Sequence, residues 1–246
     1  MKKALLFIAL AALMAACGSK QPKDGNKPGN AISMHENMPG DSAVYGLACD
    51  GCTDSILVFL PYSGGDPDTF DIISAYQAHR ILGRPHIGDA VAVMVNPENR
   101  NEALSVINMG TLEGQWCYMV NPTLRTIDGK IPPLPDSILK KIMIPAEYSL
   151  KLKADNTAQT MGYRRNTTRT QSLAVYPDIH RYTEWRLFNG HLILHADTIA
   201  GFTQEGDKPI TDTAEIVMLR RDSLILRIGD KEQSFYRKRN KDNTNN

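Results

Sequence analysis

The stretch Tyr182-Thr-Glu-Trp-Arg-Leu-Phe-Asn-Gly-His-Leu-Ile-Leu-His-Ala-Asp-Thr198 decides the fold. Two β-prone runs, Tyr182–Phe188 and His191–Thr198, flank Asn189-Gly190. An Asn-Gly pair in that position predicts a hairpin, because a type I′ turn needs positive φ at both central residues. Outward from it, Ala214–Leu219 and Ser223–Ile228 flank Arg220-Arg221-Asp222, and Gly229-Asp230 turns into Glu232–Lys238. Upstream, Tyr148–Lys153 and Thr157–Gly162 flank Asp155-Asn156. Short strands at this spacing predict an antiparallel meander over 147–239, closing as a sandwich or barrel.

The preceding region also reads as strands. Ser55-Ile-Leu-Val-Phe-Leu60 is stopped by Pro61 and Gly64-Gly65, and Ala90-Val-Ala-Val-Met-Val95 is closed by Asn96-Pro97. Ala103–Asn108 and Gln115–Val120 are two more. Over Thr69–Leu82 the alternation of Phe70-Asp71-Ile72 favours strand, since only half of the helical face Phe70, Ile73, Gln77, Arg80 is apolar. The expectation is an all-β chain. A small β-barrel or OB-like domain spans 44–122, a Pro-rich connector 123–146, the meander barrel 147–239, and a disordered tail 240–246. In the connector, Ile131-Pro-Pro-Leu-Pro-Asp136 rules out regular helix, because proline lacks the amide donor and clashes with the preceding turn. Asp136 is then read as the cap of a short helix, Ser137–Met143.

The N-terminus carries an address. Lys2 and Lys3 precede an apolar run, Ala4–Ala16, too short to span a bilayer. A charged start, an apolar core and small residues predict a secretory signal over 1–16. Met14-Ala15-Ala16-Cys17 resembles a bacterial lipobox, in which cleavage precedes the cysteine and that cysteine carries lipid; Met14 stands where leucine is commoner. Cleavage there leaves 230 residues and takes the formal net charge from +1 to −1, since Lys2 and Lys3 go with the signal. No basic cluster marks a nucleic-acid surface. The segment 17–43, rich in Lys, Pro, Gly and Asn, reads as a flexible tether. Gly18 is not the aspartate associated with inner-membrane retention, so the resemblance to sorted lipoproteins implies the outer membrane, facing either the periplasm or the exterior.

The meander is similar to the lipocalin-like domain found in lipoproteins of the Bacteroidetes type. The likeness rests on Leu150 and Leu152 before Asp155-Asn156-Thr157-Ala158, then Tyr182-Thr183-Glu184-Trp185 and Leu192-Ile193-Leu194. It continues through Ile216-Val217-Met218-Leu219, Leu224-Ile225-Leu226 and Phe235-Tyr236-Arg237. The resemblance implies an up-and-down barrel that binds a small, apolar ligand, with Tyr182, Trp185 and Phe188 as candidate cavity residues. Upstream, Tyr45-Gly-Leu-Ala-Cys-Asp-Gly-Cys52 resembles a loop of the N-terminal domain of NlpE-type lipoproteins, with Ala48 in place of a proline. This implies an alternative role as a redox- or copper-responsive envelope sensor. Asp41-Ser42-Ala43 resembles the O-glycosylation triplet of Bacteroidetes envelope proteins, making Ser42 a candidate modified site.

Cysteine chemistry is the other candidate. With Cys17 lipidated, Cys49, Cys52 and Cys117 remain, an odd number in an oxidising compartment. The Cys49/Cys52 pair precedes a strand, so it lacks the helix N-terminus that lowers a redox cysteine's pKa. A structural disulfide or clasp is the simplest reading. Soft sulfur ligands also suit Cu(I), with Cys117 or Met119 completing the set. His191 and His195 on one strand stand roughly 13 Å apart, too far to share an ion. No Gly-x-Ser-x-Gly elbow and no phosphate loop occurs. The expectation is a non-enzymatic protein with no cofactor, attached to the membrane by lipid and binding a small apolar ligand or an envelope partner through its barrel.

Overall fold

The computed structural model describes residues 38–127, 130–162, 173–177, 179–196 and 209–238. The expected signal, Cys17, most of the tether and the tail lie outside the described residues. The chain runs β1 (Ala43–Ala48), β2 (Ile56–Pro61), β3 (Asp68–Asp71), α1 (Ile73–Gln77), β4 (Ile81–Leu82), β5 (Ala90–Val95) and β6 (Ala103–Asn108). It continues with α2 (Met109–Leu112), β7 (Gly114–Val120), β8 (Thr123–Leu124) and α3 (Asp136–Ile142). Then come β9 (Ala146–Leu152), β10 (Ala158–Met161), β11 (Ala174–Val175), β12 (Glu184–Phe188) and β13 (His191–Ala196). The last three are β14 (Ile210–Leu219), β15 (Ser223–Ile228) and β16 (Lys231–Arg237).

The first sheet has the order β3-β2-β1-β5-β6-β4. Its edge β3 bends back to β6: Asp71 N–H donates to Asn101 O at 2.7 Å, beside a parallel bridge between Asp71 and Glu102. This return gives five strands the order of an OB-type barrel. Its interior holds Leu57, Phe59, Phe70, Ile72, Val91, Val93 and Val106.

The second sheet has the order β10-β9-β7-β16-β15-β14-β13-β12 and is antiparallel throughout. Its two edges nearly meet. Ala158 N–H donates to Thr183 O at 2.9 Å and Trp185 N–H to Asn156 O at 2.8 Å. The all-β expectation holds, as a small barrel followed by a nearly closed eight-stranded one. The deciding hairpin is present: φ is 48° at Asn189 and 74° at Gly190. A Cβ on Gly190 would also stand 3.2 Å from Met94 Cγ of the first sheet, so the turn needs glycine twice over.

Three expectations are corrected. Thr69–Leu82 is three elements, not one strand. Alternation ends at Asp71, whose Oδ1 accepts the Ile73 N–H at 2.8 Å and starts the turn of α1. Asp136 is the first helical residue of α3, behind Pro135, and no side chain caps that helix. Last, β7 does not belong with the strands before it. It lies between β9 and β16, so the larger barrel reaches back across the expected boundary at 122. A run of apolar residues announces a strand but not its partners.

One core joins the two sheets. Tyr45, Ala92, Ile107, Met109 and Leu112 of the first region pack with Trp116, Trp185, Leu192, Leu194, Leu224 and Leu226 of the barrel. Helix α2 plugs one end. Trp116 Nε1 donates to Leu112 O at 2.7 Å, and the Arg237 guanidinium stacks 4.2 Å above the Trp116 ring. Arg237 also donates to Glu113 O at 2.7 Å, to Arg221 O at 2.6 Å and to Thr111 O. At this end Trp116, Leu112 and Leu224 are wholly buried.

Candidate functional site

The opposite end is built differently. Because the strands alternate in direction, Val120, Ala146, Met161, Ala196, Ile210 and Ile228 all mark this second end. Register sets which side chains point inward, since directly opposed residues share a face. Ile210 opposes Ala196, Asp212 opposes Leu194, and Ile228 opposes Ala214. Gln233 opposes Leu226 and Phe235 opposes Leu224. Leu194, Ala214, Leu224 and Leu226 belong to the barrel core, and Ala196 is buried. Yet Ile210 and Ile228, although inward-facing, remain 40% and 36% exposed. Among the described residues this end, the mouth of the barrel, thus keeps inward-facing apolar side chains partly exposed.

The wall itself parts here. β16 pairs with β7 only through Tyr236 and Arg237, so Lys231–Phe235 keep a neighbour on one side alone. Inside the parting lies an aromatic group. Tyr118 packs edge-on against Tyr148, with centroids 5.7 Å apart, and against Phe235 at 5.0 Å. Tyr118 and Phe235 are half-buried, and Tyr148 is buried with its hydroxyl donating to Pro177 O at 2.6 Å.

A polar trio completes the rim. Tyr182 Oη donates to Asp212 Oδ2 at 2.5 Å, and His180 Nδ1 lies 2.9 Å from the same oxygen. The His180 and Tyr182 rings meet edge-to-face with centroids 6.0 Å apart. Thr160 Oγ1 donates to His180 O at 2.7 Å and fixes this segment to β10. Burial, and then the Asp212 carboxylate, push the Tyr182 phenol above its ordinary pKa, so it remains a donor. Burial likewise raises Tyr118.

The expected cavity residues divide among three places. Tyr182 reaches the mouth from the segment before β12. Trp185 points inward but is 2% exposed and donates Nε1–H to Lys153 O at 2.8 Å, so it fills the core. Phe188 is on the other face of β12 from Trp185 and Leu187, and packs toward Gly40. Positions three apart on a strand cannot share a face. Ser42 is exposed, but its Oγ is 2.7 Å from Asn189 Oδ1, so the hydroxyl already holds the hairpin turn.

Cys49, Cys52 and Cys117 are free thiols. Cys52 Sγ accepts the Val58 N–H at 3.4 Å and lies 3.1 Å from Cys49 O, so hydrogen bonds rather than a disulfide clasp the β1–β2 loop. Cys117 is in the other sheet, buried beside Glu147, Lys238 and Tyr236; burial and then Glu147 push its thiol up. Among the described residues no three His, Cys, Asp or Glu side chains gather as a metal site. His191 and His195 serve separate partners, Asn189 O and Thr211 Oγ1.

Sequence reasoning missed Tyr118, Tyr148, Asp212, Ile210 and Ile228. Tyr118 was legible in the alternation of β7 with Trp116, but its place in the barrel was not. Residues 174–239 match the family described as lipocalin-like, which takes in five of the barrel's eight strands. Among solved structures the chain is similar to a lipocalin-like protein from Bacteroides thetaiotaomicron. That likeness has 16% identity over 51% of this chain and 95% of the other, with a TM-score of 0.30. The comparison with curated proteins found no match.

Proposed function

We propose that the protein is a non-enzymatic binding module that takes a small, apolar ligand through the mouth of the larger barrel. The observation that carries this is the contrast between the two ends: Ile210 and Ile228 face inward at 40% and 36% exposure, whereas the plugged end buries Trp116 and Leu224 completely. Exposed apolar surface in a concave wall is what an apolar ligand covers. The test is binding of the uncharged fluorescent probe N-phenyl-1-naphthylamine. Ile210→Arg is expected to weaken binding at least tenfold, while Phe188→Ala, on the outer face, leaves it unchanged. Equal binding by both variants would refute the site.

The same reading holds the protein at the outer membrane through lipid on Cys17. Three acyl chains, as bacterial lipoproteins carry, exceed the two signals that stable anchoring needs. Cys17→Ser is expected to move the protein from the membrane to the soluble fraction, and retention would remove the anchor from the proposal.

A second reading, a redox- or copper-responsive sensor, is favoured by the half-exposed Cys49 and Cys52 thiols and the amide aimed at Cys52 Sγ. Unchanged copper affinity and an unchanged envelope-stress response in Cys49→Ser/Cys52→Ser would eliminate it.

A further inference from the structure

We propose that the barrel mouth selects a cationic amphiphile, one whose amine or quaternary ammonium head is received by Asp212 and the neighbouring aromatic rings; this rests on the mouth being a ligand site. Asp212 projects inward, because it opposes the fully buried Leu194. Its side chain keeps 20% exposure, so it is reachable from the mouth. Tyr182 and His180 both engage Oδ2. The other oxygen, Oδ1, has no partner among the described residues. A carboxylate held in this way has one oxygen fixed and the other left to accept a further donor.

The surroundings favour a cation over a neutral donor. Tyr182 packs on the core beside Asp212, the His180 ring meets it edge-to-face with centroids 6.0 Å apart, and Tyr118 lies near enough to Tyr182 to interact with it electrostatically. Aromatic faces beside a carboxylate attract an ammonium through the ring quadrupole as well as through charge, most strongly where water is partly excluded. An anionic head meets the opposite situation, since the carboxylate repels it. Lys231 also faces inward by register with Ile228, but two strands from Asp212 and on the exposed rim, where solvent screens it. The apolar tail follows from Ile210, Ile228 and Phe235. Head and tail together describe an amphiphile rather than a plain hydrocarbon.

The experiment titrates the full chain with three eight-carbon probes below their micelle concentrations: octyltrimethylammonium, octanol and octanoate. Calorimetry is expected to show the cation binding at least tenfold more tightly than octanoate. Asp212→Asn is expected to abolish that preference, and Tyr182→Phe to reduce it while keeping the fold. Circular dichroism and thermal melts confirm that both variants are folded. Octanol binding with no preference for the cation, or a preference that survives Asp212→Asn, overturns this proposal alone. No binding of any probe overturns it together with the binding site on which it rests.

Discussion

Glu147 shows how single residues secure the parting between β7 and β16. Its carboxylate takes Lys238 Nζ at 2.5 Å and Tyr236 Oη at 2.7 Å, over the buried Cys117. Hydrogen bonds from Lys238 first and Tyr236 second hold it below the usual carboxylate range, and Tyr236 is pushed up to about 12. A depressed carboxylate contributes stability above its unfolded pKa and loses that contribution as pH falls through the folded value. Glu147→Gln is therefore expected to melt slightly below the parent at pH 7, with the two melting curves converging below about pH 4. The gap is expected to narrow in high salt, because the pair is largely solvent-exposed. A gap that is unchanged at pH 3 would show that the ionised carboxylate has no part in the seam. At this same scale, sequence reading found Tyr182 but not its partner Asp212. The two are thirty residues apart and on different strands.

The β12–β13 hairpin is the element through which the two barrels are latched. Asn189 Oδ1 accepts the Ser42 N–H at 2.8 Å and Ser42 Oγ at 2.7 Å, and the Asn189 N–H donates to Asp41 Oδ1 at 2.9 Å. Asp41 Oδ2 in turn accepts Tyr45 Oη at 2.6 Å. Asn189 thus serves two tasks, the positive φ of the turn and the latch to the start of β1. Asn189→Ala loses both, at an expected cost of about 1–3 kcal/mol in chemical unfolding. Asn189→Gly keeps the turn and should recover part of that loss. If the alanine and glycine variants were equally unstable, the latch alone would account for the residue. The hairpin was legible because Asn-Gly acts locally. Its face was legible too: the period of two separates Trp185 from Phe188, whatever the barrel around them.

For the whole molecule, β7 is the decisive strand. It leaves the first region through α2 and closes the second by lying between β9 and β16. A fragment of residues 147–239 lacks it, so β9 and β16 would each present an unpaired edge and the barrel would lose Trp116. Unpaired edges with apolar faces invite aggregation. The fragment is expected to be insoluble or to unfold without cooperativity, whereas the full chain is expected to melt in one transition by both fluorescence and circular dichroism. A soluble, monomeric fragment with a sharp melt would restore the boundary between 123 and 146.

The sequence by itself determined the strands of the meander, the Asn189-Gly190 turn and the all-β class, because each follows from side-chain period and backbone preference within a few residues; it did not mark β1 or the break at Asp71. The proposed anchor at Cys17 likewise rests on the sequence alone, since a lipobox-like stretch is read without folded context. Only the tertiary structure decided that β7 crosses between the sheets, that α2 plugs one end, and that Asp212, Tyr182 and His180 meet at the other. Those outcomes depend on which strands hydrogen-bond to which and with what register. Many pairings bury nearly the same apolar surface, so hydrophobic pattern alone does not choose among them.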